Sequence, residues 1–93
     1  MTKTSEKVTN YNGWTNYETW NVALWIDNDR GLADEVTSMA RRQTKTYELG
    51  QEIKGFIEEL CPDLGASMFA DLLNASLREV NWYEIAEHYI DQE

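Results

Sequence analysis

"NGWTNYETWNVALWIDND", residues 12–29, holds three of the four tryptophans of this 93-residue chain. Asn12-Gly13 is a turn signal. Thr15 and Glu18 stand at capping-box spacing, in which the hydroxyl meets the N3 amide and the carboxylate reaches back to the cap amide. They predict a helix from Thr15 to about Asn28, closed by Asn28, Asp29, Arg30 and Gly31. With about 3.6 residues per turn, Tyr17, Trp20 and Leu24 share one face. Val22 and Ile26 lie roughly opposite, with Trp25 between. A helix that is apolar around most of its circumference is normally buried among others. The stretch therefore reads as a turn, a cap and a central core helix with Trp20 inward. Trp14 and Trp25 have less constrained directions and are the candidates for an aromatic contact with a partner.

Four more helices follow from the same spacing. Over Leu32–Gln43, Leu32, Val36, Met39 and Ala40 form an apolar stripe, with Asp34, Glu35, Ser38, Arg41 and Arg42 opposite. Over Tyr47–Leu60, Leu49, Ile53, Phe56, Ile57 and Leu60 point inward, and Glu48, Glu52 and Glu59 share the outer face. Gly50 and Gly55 weaken this helix by roughly 1 kcal/mol each against alanine unless a close crossing needs them. Cys61-Pro62 ends it, because the residue before proline resists helical geometry. Over Ala66–Val80 the expected core face is Phe69, Leu72, Leu73, Leu77 and Val80. The last helix starts at the cap residue Asn81, with Glu84 three residues on. It turns Trp82, Ile85, Ala86, Tyr89 and Ile90 inward, and Glu84, Glu87, His88 and Asp91 outward. No alternating strand pattern competes. The expected architecture is an all-α, compact bundle of four to five short helices: a flexible tail over residues 1–13 and a single helical domain over 14–93.

At 93 residues with 42% hydrophobic and 12% aromatic content, the chain can build one core. The single cysteine, Cys61, excludes an internal disulfide and leans toward a reducing, cytoplasmic setting. No apolar run approaches the roughly 18 residues that span a bilayer, and no charged-then-apolar leader is present. The formal net charge is −9. Residues 1–47 carry six acids and six bases; residues 48–93 carry eleven acids against Lys54 and Arg78 alone. All the net charge thus lies in the C-terminal half. Such a field repels nucleic-acid phosphates and attracts basic partners.

No stretch matches a phosphate-cradling glycine loop, a metalloprotease helix or a nucleophile elbow. One cysteine and one histidine do not make a zinc site. The run at 27–35 has acids and Gly31 but places Leu32 and Ala33 where a calcium loop needs oxygens. His88 has acids at i−4 and i+3 but no nucleophile, and reads as part of a solvated helix face. Cys61 reads as a buried or semi-buried structural thiol. Arg41, Arg42 and Lys45 form the one basic cluster, too small in a chain of this charge for nucleic acid. No cofactor, metal or catalytic group is expected.

Two motifs stand together: "NYETWNVALWIDN", residues 16–28, and "NWYEIA", residues 81–86. The pair resembles a family of small uncharacterised proteins of bacteriophages, plasmids and bacterial genomes. Its members share an "NYETW-x-V-x-LW-x-xN" opening and a downstream "NW-x-EIA" segment. The resemblance spans roughly residues 12–29 and 64–90 and carries over no functional residue. It implies a mobile-element context, in which small acidic proteins often resemble anti-defence inhibitors. The leading expectation is therefore a non-enzymatic, cytoplasmic interaction protein. Glu48, Glu52, Glu58, Glu59, Glu84, Glu87 and Asp91 would occupy a basic site on a host or defence protein in the manner of a DNA mimic. The alternative is a helical adaptor or homodimer working through an aromatic patch at Trp14 and Trp25. Neither binds nucleic acid or membrane directly.

Overall fold

In the computed structural model, which describes residues 11–91, five helices and no strand form among the described residues. They are α1 (Tyr17–Asn28), α2 (Arg30–Arg42), α3 (Thr46–Glu59), α4 (Met68–Arg78) and α5 (Trp82–Asp91). The all-α architecture is as the periodicity predicts. None of these helices is long and apolar enough to cross a membrane. Most of the expected N-terminal tail lies outside the described residues. Its last part is a turn: the Trp14 amide donates to the Tyr11 carbonyl at 2.9 Å. Asn12 and Gly13 both have positive φ, 54° and 91°, the paired left-handed geometry that Asn-Gly favours.

The cap of α1 is Asn16, one residue later than expected. Its Oδ1 accepts from the Thr19 amide at 2.9 Å while its Nδ2 donates to the Glu79 carbonyl at 2.7 Å. Thr15 lies one residue before the cap, and its amide donates to Glu84 Oε1 at 3.1 Å, not to Glu18 as a local capping box would have it. Asn81 caps α5 as expected, accepting from the Glu84 amide at 3.0 Å. The Asn81 amide in turn donates to Thr19 Oγ1 at 2.8 Å. The capping box is thus exchanged between helices. The third residue of α1 serves the entry of α5, and the third residue of α5 serves the approach to α1. Asp29 closes α1 and opens α2, accepting from the Leu32 amide at 3.1 Å. Ser67 opens α4 through Ala70, at 3.1 Å.

The core gathers around α3 and α5, which make the most extensive helix contact in the molecule. Leu49 and Ile53 of α3 meet Trp82, Ile85, Ala86 and Tyr89 of α5, with Val36, Met39 and Ala40 of α2 and Ile26 of α1. The stripes of α2 and α5 face inward as read, and so do Leu49, Ile53, Phe56 and Ile57 of α3; Leu60 is exposed. Gly50 is the crossing point. A Cβ built there would lie 3.0 Å from the Trp82 carbonyl oxygen, so only glycine lets the backbones come this close.

Two further expectations are corrected. α1 is not the central buried helix. Its inward residues are Thr19, Ala23 and Ile26, while Tyr17, Leu24 and Trp25 are exposed and Trp20 is half-buried. The apolar letters on all sides gave its periodicity no direction. The hydrogen bond from Asn81 to Thr19 sets the rotation instead. α4, in turn, has no buried residue. Phe69 and Leu72, expected in the core, are 64% and 61% exposed. Leu73 and Leu77 are half-buried, and Val80, just beyond the helix, is buried.

Candidate functional site

The apolar side chains that the core does not take up define a surface. With about 100° between successive residues, the apolar arc of α4 runs from Ala75 and Met68 through Leu72, Phe69, Leu73 and Leu77 to Ala70. Only Ser76 interrupts it; Asp71, Asn74 and Arg78 fill the remainder. Leu73, Leu77 and Ala70 face the body of the molecule. Met68, Phe69 and Leu72 face solvent at 61–64% exposure. Three adjoining hollows of about 330, 480 and 190 Å³ share Leu73 and Leu77 as walls. The first is almost wholly apolar. Val22 and Trp25 of α1 and Ile57 of α3 line it, with Leu60, Cys61 and Pro62 from the connector. Glu58, Asp63 and Leu64 border the second, and Tyr17 and Glu18 the third. The charged side chains on these three hollows are all acidic. A fourth hollow, of about 390 Å³, adjoins the second through Glu58, Asn74 and Leu77, and Lys54 and Arg78 line it with Trp82.

Trp25 stands on this surface, 64% exposed. Trp14 does not. It is half-buried against the core, with its ring 5.2 Å from that of His88. The two candidate aromatic contacts therefore do not line one hollow. His88 also sits 5.0 Å from the Tyr89 ring and is half-buried, so it is more enclosed than the solvated helix face read from the sequence. Asn12, Gly13, Trp14, Glu84, Glu87 and His88 enclose an open hollow of about 310 Å³.

The acidic candidates divide. Glu48, Glu52, Glu58 and Glu59 are exposed on α3, where Glu52 pairs with Arg42 at 3.1 Å. Glu87 is exposed on α5, and Glu84 is half-buried and holds the Thr15 amide. The Asp91 side chain lies outside what the structure describes. No α3 residue lines the hollow of Glu84 and Glu87.

Among the described residues, no group of three or more His, Cys, Asp or Glu side chains gathers to hold a metal ion. Tyr89 is buried and donates its hydroxyl to Asp27 Oδ1. Burial, then the hydrogen bond and the negative charge of Asp27, push its pKa well above the usual tyrosine value. The bond ties α1 to α5, and neither residue lines any of these hollows. Cys61 is half-buried, its thiol donating to the Pro62 carbonyl at 3.3 Å, which fits a structural thiol.

The sequence pointed to Trp25 but missed α4. The signal was present: an apolar arc of about 220° is wider than one helical neighbour covers. The two motifs that carry the family resemblance form the exchanged caps, and Asn16, Thr19, Asn81 and Glu84 are the residues that bond. A model of a family of unknown function (DUF7249) matches residues 7–93 of the chain. No curated protein and no solved structure matches it.

Proposed function

The chain therefore belongs to that family, and we propose that it is a non-enzymatic protein-interaction module that holds another polypeptide against the apolar surface of α4 and Trp25. The observation that carries this reading is α4 itself, a helix with no buried residue whose large apolar side chains stand in solvent. Isolated exposed apolar residues are ordinary, but a contiguous apolar surface marks an interaction site. Tryptophan is the residue most enriched among binding hot spots. The hollows are open, and the apolar surface continues onto the outward face of α4. A polypeptide can cover both; a small ligand needs enclosure. The acidic C-terminal half then steers a basic partner toward the surface, in a salt-dependent way.

The charge split favours a second reading. In it the exposed α3 acids Glu48, Glu58 and Glu59 bind a basic site directly, as an anti-defence DNA mimic from a mobile element would. The two readings separate by mutation. Proteins retained by the wild-type chain are compared with those retained by Phe69→Ser/Leu72→Ser, by Trp25→Ser and by Glu48→Lys/Glu59→Lys, with helicity checked by circular dichroism. The apolar reading expects the first two variants to release the same proteins that the charge-reversed variant keeps at 0.15 M salt, an ionic strength at which exposed charges more than about 8 Å apart are largely screened. Retention unchanged by Phe69→Ser/Leu72→Ser and Trp25→Ser, but abolished by charge reversal, would overturn it in favour of the mimic.

A further inference from the structure

Resting on that reading, we infer that the occupant of the surface is an amphipathic helix of a partner protein, apolar on one face and flanked by lysine or arginine. The first argument is geometric. A helix apolar over about 220° of its circumference is suited to lie between two layers of neighbours. α1 and the end of α3 supply one layer, which faces the half-buried Leu73 and Leu77 across a shared hollow. Met68, Phe69 and Leu72 await the other. α4 has 11 residues, a length of about 16 Å at about 1.5 Å per residue. A partner helix of about three to four turns lying beside it matches that length. It would fill the hollow beside Trp25 with i, i+3, i+4 and i+7 anchors, the helix-in-groove mode.

The second argument is charge. Glu18, Glu58 and Asp63 edge the shared hollows and no basic side chain lines those three; Lys54 and Arg78 stand beyond Glu58, on the far side of Leu77 from Trp25, in the adjoining hollow. An apolar helix with acidic flanks would meet repulsion at Glu18, Glu58 and Asp63, whereas basic flanks meet complementary charge. A second copy of this chain brings the same acidic rim and a net charge of −9, so like charge opposes self-docking here.

The test titrates the full chain calorimetrically with three synthetic 16-residue peptides. One is an amphipathic leucine helix with lysine flanks, the second has the same apolar face with glutamate flanks, and the third keeps the lysines with serine in place of leucine. Saturable binding is expected for the first, weaker by about tenfold or more for the other two, a difference of about 1.4 kcal/mol. Trp25→Ser and Phe69→Ser/Leu72→Ser should each weaken the first peptide by a similar factor. Equal binding of the glutamate-flanked peptide, or of the serine peptide, overturns the partner class. So does failure of all three peptides; if Phe69→Ser/Leu72→Ser still releases retained proteins, the interaction surface itself stands. Sedimentation of the chain alone is the last arm. A concentration-dependent dimer that Phe69→Ser/Leu72→Ser dissolves makes a second copy the occupant and overturns the inference.

Discussion

Replacing each of the two glycines of α3 by alanine should move stability in opposite directions. Alanine in a helix interior is favoured over glycine by about 1 kcal/mol. At Gly55 an added Cβ meets nothing within 4 Å. Gly55→Ala should therefore stabilise the protein by up to about 1 kcal/mol. At Gly50 the same atom would lie 3.0 Å from the Trp82 carbonyl oxygen and 3.1 Å from its carbonyl carbon. Both are backbone atoms, and the strand of chain that carries them is pinned. The Asn81 amide is held by Thr19, and the Trp82 side chain is buried. Overpacking of this kind costs about 1–3 kcal/mol. Against the propensity gain, Gly50→Ala should destabilise by about 1 kcal/mol net, leaving the two variants roughly 2 kcal/mol apart. Urea unfolding checks this as a shift in midpoint at constant slope. In a thermal melt, each kcal/mol corresponds to about 4–8 °C for a domain of this size. A Gly50→Ala protein as stable as wild type, or the same sign for both variants, would refute the argument that α3 and α5 touch through Gly50.

Thr19→Val keeps the shape of the side chain but leaves the Asn81 amide without its acceptor. It should cost about 1–3 kcal/mol in urea unfolding and speed hydrogen exchange at Asn81, while Thr19→Ser retains the bond. Tyr89→Phe removes the donation to Asp27 and should cost about 1.5–3 kcal/mol near neutral pH, as hydrogen bonds to charged groups do. The folded protein holds the Tyr89 proton more tightly than the unfolded chain does. The unfolded state therefore loses it first, near pH 10, and stability falls as pH rises above that value. This component of the pH dependence should vanish in Tyr89→Phe, read from urea midpoints at stepped alkaline pH. Phe69→Ser and Leu72→Ser lie at positions more than half exposed and should each change stability by no more than about 0.5 kcal/mol. A loss of about 2 kcal/mol or more at either would mean that these side chains belong to the core, not to a binding surface.

The sequence was most legible where one helix face is polar and the other apolar. Val36, Met39 and Ala40, Leu49 and Ile53, and Ile85, Ala86 and Tyr89 all turned inward as their spacing requires. It was least legible in α1. Tyr17, Trp20, Leu24 and Trp25 spread apolar surface round the helix, so hydrophobicity could not choose a rotation. The choice falls to Thr19, a fully buried polar residue whose partner is 62 positions away. Local pattern does not contain such a contact. α4 was misread for a related reason. Periodicity shows which side chains want cover, and Phe69 and Leu72 want it, but among the described residues the neighbouring helices shelter only Leu73 and Leu77, and those by half. Trp25 was legible as a possible contact because its direction fell between two faces. The acids were legible as a charge, but not as an arrangement, because pairing such as Glu52 with Arg42 depends on how α2 meets α3.

The exchanged caps have a consequence for how the protein is made. Bonds join Thr15, Asn16 and Thr19 to Glu84, Glu79 and Asn81 across 62 to 69 positions, with Asn81 the donor to Thr19. α5 also supplies Trp82, Ile85, Ala86 and Tyr89 to the core shared with α1, α2 and α3. Until residues 79–91 have left the ribosome, the helices already synthesised lack the largest share of their common core. At about 5–20 residues per second, the earlier segments wait several seconds with their apolar faces open. The interhelical caps and the closed core therefore form only once residues 79–91 are available.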